Sequence, residues 1–137
     1  MTTTMQAVRV GLLAAVALTM GASPAQPAPQ EAVPGNRLYL SVTRGDARAG
    51  HTRGTELICD PPQGHAHAAE ACQELDAAKG DISRIRSKAD VFCSLIYAPI
   101  TASARGEWNG RPIDYTHTFS NSCVMEAETG AVFDLPE

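Results

Sequence analysis

Apolar and polar residues alternate in two separate parts of the chain, and between them the apolar spacing changes to that of a helix. Leu38, Leu40 and Val42 alternate with Tyr39, Ser41 and Thr43, the period of two by which a strand buries one face and wets the other. A polar turn region over 44–54 leads to a second strand over 55–59. Residues 60–67, with two prolines and a glycine, read as a loop. Ala68, Ala71, Cys72, Leu75 and Ala78 then recur at helical spacing, with Gly80 where a C′ glycine ends a helix. Asp81 caps a further short turn through Ile85.

The sharpest local signal is Asn109-Gly110 between two alternating runs, which predicts a two-residue type I′ hairpin. That turn sets Trp108 opposite Arg111, and so Gly106 opposite Ile113, Ala104 opposite Tyr115, Ala102 opposite His117 and Ile100 opposite Phe119 on an apolar face. The other face pairs Glu107 with Pro112, Arg105 with Asp114, Ser103 with Thr116 and Thr101 with Thr118. A last short strand is expected over 131–135. Four or five strands and one helix make an α+β domain of two layers, an antiparallel sheet covered on one face.

With 137 residues, 44% of them hydrophobic and 19% charged, the chain has the composition of one folded domain. The net charge of −4, without clustered Lys and Arg, excludes a nucleic-acid partner. At the N-terminus, Arg9 precedes an apolar run over 10–20, and Ser23 and Ala25 fit the small positions of a cleavage site. The run is shorter than the roughly 20 apolar residues of a membrane-spanning helix. Residues 1–25 are therefore expected to be a secretory signal, cleaved after Ala25 or Ala28, with the mature protein extracellular and not membrane-bound. Residues 26–36, rich in proline, read as a flexible arm, and 37–137 as the folded domain.

Export changes the meaning of Cys59, Cys72, Cys93 and Cys123. In an oxidising compartment four cysteines without a C-x-x-C predict two disulfides. Three pairings are open. The sequential one closes the shortest loops, with chain-entropy values of roughly 3 and 3.7 kcal/mol.

The sequence holds no G-x-S-x-G elbow, P-loop or H-E-x-x-H, so neither an enzyme nor a cofactor or metal site is expected. A ribonuclease-like hydrolase is the enzymatic alternative, using Glu107, His117 and Arg105. In the predicted register His117 lies on the apolar face, as a buried and satisfied histidine, while Glu107 and Arg105 lie on the other. His65 and His67 form an H-x-H pair, but no neighbour in sequence completes a zinc site, and a solvated polar loop is the expectation.

The run from Val91 to Pro99 crosses Cys93 with large apolar groups at consecutive positions, which by pattern alone suits a strand buried on both faces. Cys93-Ser94-Leu95-Ile96-Tyr97-Ala98-Pro99, however, resembles the reactive-site loop of the Streptomyces subtilisin inhibitor family, typically Cys-Pro-x-Val-Tyr-Asp-Pro. Further similarity lies in the early Leu-x-Leu-x-Val strand, Cys59-Asp60-Pro61-Pro62, Ala71-Cys72 with Leu75, Gly80-Asp81, Trp108-Asn109-Gly110 and Phe119-Ser120-Asn121-Ser122-Cys123.

The resemblance implies a secreted inhibitor of subtilisin-like and chymotrypsin-like serine proteases. In it Leu95 takes the P1 position and Ile96 P1′, flanked by Phe92, Cys93, Ser94 and Tyr97, with Asn121 bracing the loop. It further implies Cys59–Cys72 and Cys93–Cys123, a five-stranded antiparallel sheet with two helices on one face, and a homodimer formed through sheet faces. A non-inhibitory binding protein on the same fold is the other alternative. Ser94 stands where the family usually has proline and Ala98 where it has aspartate, which implies a loop less rigid and easier to cleave than its relatives'.

Overall fold

A computed structural model describes residues 21, 25, 35–45 and 50–137. The expected signal segment and flexible arm fall, apart from Gly21, Ala25, Gly35 and Asn36, outside the described residues. The compact unit that begins at Ala32 holds all the elements below.

Four strands, β1 (Arg37–Arg44), β2 (His51–Ile58), β3 (Ile100–Trp108) and β4 (Arg111–Phe119), form an antiparallel sheet in the order β2-β1-β3-β4. Two helices accompany them, α1 (Ala68–Ala77) and α2 (Ser122–Thr129), and a 3-10 turn spans Ile82–Arg84. α1 lies against β2, and α2 against β3 and β4. One core joins both helices to the inner sheet face, with Leu38, Leu40, Val42, Ala102 and Ala104 meeting Ala71, Leu75 and Met125. The outer face stays polar. Hydroxyl pairs bridge its strands at Thr43–Thr52 (2.9 Å), Thr101–Thr118 (2.8 Å) and Ser103–Thr116 (3.2 Å), with Arg105 3.5 Å from Asp114.

β3 and β4 pair in the register that Asn109-Gly110 predicts, from Trp108 with Arg111 to Ile100 with Phe119. Both turn residues have positive φ, 48° and 74°, as a type I′ turn requires. Asp81 caps the 3-10 turn by accepting the Ser83 N–H.

Elsewhere the structure corrects the expectations. β2 starts at His51, not Thr55, because its first half is an edge strand with no apolar face and is held by pairing to β1. Residues 131–135 are not a strand. Ala131, Val132 and Phe133 are buried consecutively, and the backbone bonds locally, as from Val132 N–H to Thr129 O. Among the described residues the sheet thus has four strands, not five. α2, which no apolar period announced, starts at Asn121, whose side chain accepts the Val124 N–H, and ends at Gly130. His117 is exposed rather than buried, because β4 is the sheet edge; its ring lies edge-on to Phe119 with centroids 4.5 Å apart.

Two disulfides tie the layers together. Cys59–Cys72 joins the end of β2 to α1, and Cys93–Cys123 joins the long loop before β3 to the first turn of α2. This is the pairing that the resemblance implies.

Gly80 and Gly110 test how far packing, beyond backbone conformation, fixes these turns. Both have positive φ (78° and 74°), but a Cβ on Gly80 would sit 2.5 Å from Cγ of the buried Trp108, whereas one on Gly110 would meet nothing within 4 Å. Gly110→Ala should cost about 1 kcal/mol, from backbone strain alone. Gly80→Ala should cost at least about 1 kcal/mol more, through overpacking, read as a larger drop in the urea midpoint at constant slope.

Candidate functional site

Between the 3-10 turn and β3 the chain has no regular structure, and from Arg86 to Ala98 every residue is exposed except the half-buried Cys93. Apolar side chains in water are the unusual feature here. Phe92 is 96% and Leu95 101% exposed, and Val91, Ile96 and Tyr97 are exposed with them. Isolated exposed apolar residues need no explanation, but a contiguous set on one loop marks an interaction surface. The buried strand that the apolar pattern suited is therefore not what forms.

The loop is held in place by its partners rather than by its own hydrogen bonds. Lys88 N–H donates to Ala127 O (2.8 Å), Cys93 is bonded to Cys123, and Ala98 N–H donates to Ser120 O (2.8 Å). Between the last two, Asn121 Nδ2 donates to both Ser94 O (3.1 Å) and Ile96 O (3.0 Å). As the loop advances from 88 to 98 its partners run back from 127 to 120, so it lies along α2 in the opposite direction. At the stem, Gly45 N–H donates to Pro99 O (3.2 Å).

Asn121 explains how a loop lacking proline at residue 94 keeps its shape. Its Oδ1 accepts the Val124 N–H (3.0 Å) as the N-cap of α2, which fixes the orientation of the amide. Nδ2 must then face the loop, where its two hydrogens reach the carbonyls on either side of Leu95–Ile96. The residue is 8% exposed, so the amide is largely shielded from water although the carbonyls that it holds belong to exposed residues.

Of the expected site residues, Phe92, Cys93, Ser94, Leu95, Ile96 and Tyr97 lie together on this loop with Asn121 beneath them. The supports at Lys88, Ser120 and Ala127 are backbone groups, which carry no side-chain signal in a sequence. α2 itself could have been read from the pair Asn121 and Gly130, an N-cap residue and a terminal glycine.

The other candidates do not converge. Arg105 and Glu107 alternate in β3 with the residues paired to His117, so they face away from it, and Arg105 is engaged with Asp114. His65 Nδ1 accepts the His67 N–H (2.9 Å) and Nε2 meets Val132 O (3.1 Å), so both ring nitrogens are committed to backbone. The pair is a structural clasp, and no group of three metal-ligating side chains occurs among the described residues.

Residues 34–121 match the family model described as subtilisin inhibitor-like. A Streptomyces avermitilis protein whose name assigns it provisionally to the serine protease inhibitors is 58% identical over 137 residues, covering 100% of this chain and 92% of that one. A subtilase-type protease inhibitor of Streptomyces coelicolor is 40% identical over 119 residues, covering 82% and 83%. Among solved structures, Streptomyces caespitosus sermetstatin in complex with Bacillus licheniformis subtilisin matches with a TM-score of 0.60 and 30% identity, over 71% of this chain and 96% of that one.

Asn121→Asp isolates the brace from the cap. Aspartate caps a helix as well as asparagine, so α2 should still start at residue 121 and the loss in global stability, about 2 kcal/mol, should come from the loop contacts alone. The two bonds to Ser94 O and Ile96 O are lost, at about 1 kcal/mol each. Cleavage of the loop by a broad-specificity protease should then accelerate roughly tenfold or more; an unchanged rate would show that the brace does not hold the loop.

Proposed function

Because the chain belongs to the subtilisin inhibitor-like family, we propose that it is a secreted inhibitor of serine proteases and that Leu95–Ile96 is the bond it offers them. The observation that carries this reading is a fully exposed Leu95 whose neighbouring carbonyls, at Ser94 and Ile96, are held by one buried amide. The sermetstatin–subtilisin complex supports subtilisin-type enzymes as the targets.

A protease binds an extended segment through backbone hydrogen bonds and a side chain in its specificity pocket. A loop already ordered by α2 incurs little further ordering cost on binding, so contact converts to affinity. Attack of the protease serine on the Leu95 carbonyl forms an acyl-enzyme and releases the Ile96 amine. The acyl side stays tethered through Cys93–Cys123 and Ser94 O, the amine side through Ile96 O, Ala98 N–H and Pro99 O. The amine remains beside the acyl carbon at high effective concentration, and re-formation of the bond outcompetes water. Phe92 and Tyr97 supply apolar contact on either side.

Leu95 suits the apolar pockets of subtilisin-like and chymotrypsin-like enzymes, whereas a trypsin pocket built around a carboxylate takes Lys or Arg. The outer sheet face, where Tyr39 is 58% exposed, is the surface through which a second copy would pair, as the family resemblance implies.

Titration of subtilisin with the mature protein should give stoichiometric inhibition. Leu95→Lys should move the preference from subtilisin to trypsin by at least about 100-fold, or ~2.7 kcal/mol; identical profiles for both proteins would rule Leu95 out as the specificity residue. Ser94→Pro fixes φ at residue 94 and so removes freedom from the opened loop, worth about 0.4–1 kcal/mol. Hydrolysis of the inhibitor in excess protease should slow by roughly two- to fivefold, followed as the half-life of the intact chain.

A further inference from the structure

The segment after α2 is docked by buried apolar side chains and by side-chain polar contacts. Residues 131–135 bury Ala131, Val132, Phe133 and Leu135, yet their backbone N–H groups at Val132, Asp134 and Leu135 bond locally, to Thr129 O, Ala131 O and Phe133 O. Among the described residues, every polar contact from this segment to the domain beyond α2 comes from a titratable or charged side chain. Glu74 accepts the Ala131 N–H (2.8 Å), His65 Nε2 meets Val132 O (3.1 Å), and His67 Nε2 lies 3.3 Å from Asp134. Arg53 donates to Leu135 O (3.2 Å) and lies 3.7 Å from Glu137, which Arg44 also contacts at 3.2 Å.

We propose that residues 131–137 form a strap released by acid, with His65 as its latch. His65 is 7% exposed, and with Nδ1 accepting the His67 N–H, the ring must carry its proton on Nε2 to donate to Val132 O. Only the neutral ring makes both bonds. A proton on Nδ1 would set N–H against N–H and bury a charge beside His67.

Burial lowers the proton affinity of His65; the bond to Val132 opposes this, the charge of His67 adds to it and that of Asp134 opposes it. Once the strap opens, the exposed ring titrates near its ordinary value of about 6.5. Docking is therefore at full strength above that pH. It weakens as pH falls toward the lowered value of the closed state, by up to about tenfold per pH unit.

One group acts in the opposite sense. Burial pushes the Glu74 carboxyl up, against the Ala131 N–H bond, with Glu70 raising it further and Lys88 lowering it, so acid favours the docked state there. Release has a route to the exposed loop, since Glu137 holds Arg44 beside Gly45, whose N–H supports Pro99 O.

Hydrogen exchange of the whole protein between pH 7.5 and 5.5, corrected for intrinsic rates, tests the latch. Protection at Val132, Asp134 and Leu135 should fall at least about threefold while that of Leu40 and Ala102 in the sheet holds. His65→Gln should flatten this response, and Glu74→Gln should steepen it. Constant strap protection in the native chain, sheet protection falling in step with it, or an undiminished response in His65→Gln overturns the proposal. If His65→Gln does not fold, the sign for Glu74→Gln decides: an unchanged or shallower response overturns it.

Discussion

The side-chain amide of Asn121 hydrogen-bonds in three directions, and the shape of the exposed loop depends on all three holding at once. Accepting the Val124 N–H starts α2; donating to Ser94 O and Ile96 O clamps the backbone around Leu95. The same residue therefore begins the helix and holds the segment laid against it. The helix is anchored in turn by Met125 and Thr129 in the core and, just beyond Gly130, by the Glu74 carboxylate on Ala131. Rigidity in the loop is borrowed from the core through α2, not generated by the loop's own sequence.

The sheet contributes the frame for that arrangement. Ala102 and Ala104 present small buried side chains on the strand against which α2 packs, which leaves room for the helix close to the sheet. At the far end of β3, Trp108 covers Gly80 and couples the hairpin to the end of α1. The two disulfides divide the remaining task, one fixing α1 to the end of β2 and the other fixing the loop to α2.

Alternation and turn chemistry made most of this frame legible. Leu38, Leu40 and Val42 mark a strand because they bury one face, and Asn109-Gly110 sets a register because only certain residues accept two successive positive φ angles. The same logic explains the failures. The first half of β2 is held by backbone pairing and displays no period; residues 131–135 are buried by packing without any ladder, and a short apolar run does not distinguish the two. The apolar run across Cys93 is exposed, and the groups that hold it there, the Cys93–Cys123 disulfide, backbone carbonyls and one distant asparagine, leave its hydrophobic pattern unchanged. Family resemblance, not periodicity, pointed to the surface there.

The isolation of the Leu95 side chain carries a consequence for how such a molecule can diversify. A side chain wholly in solvent contributes no packing to the folded state, while the atoms that hold its backbone belong to other residues. Position 95 can therefore vary with little penalty in folding, so the group displayed there and the foldability of the domain rest on separate residues. The displayed group can change by substitution at one point, without passing through unstable intermediates.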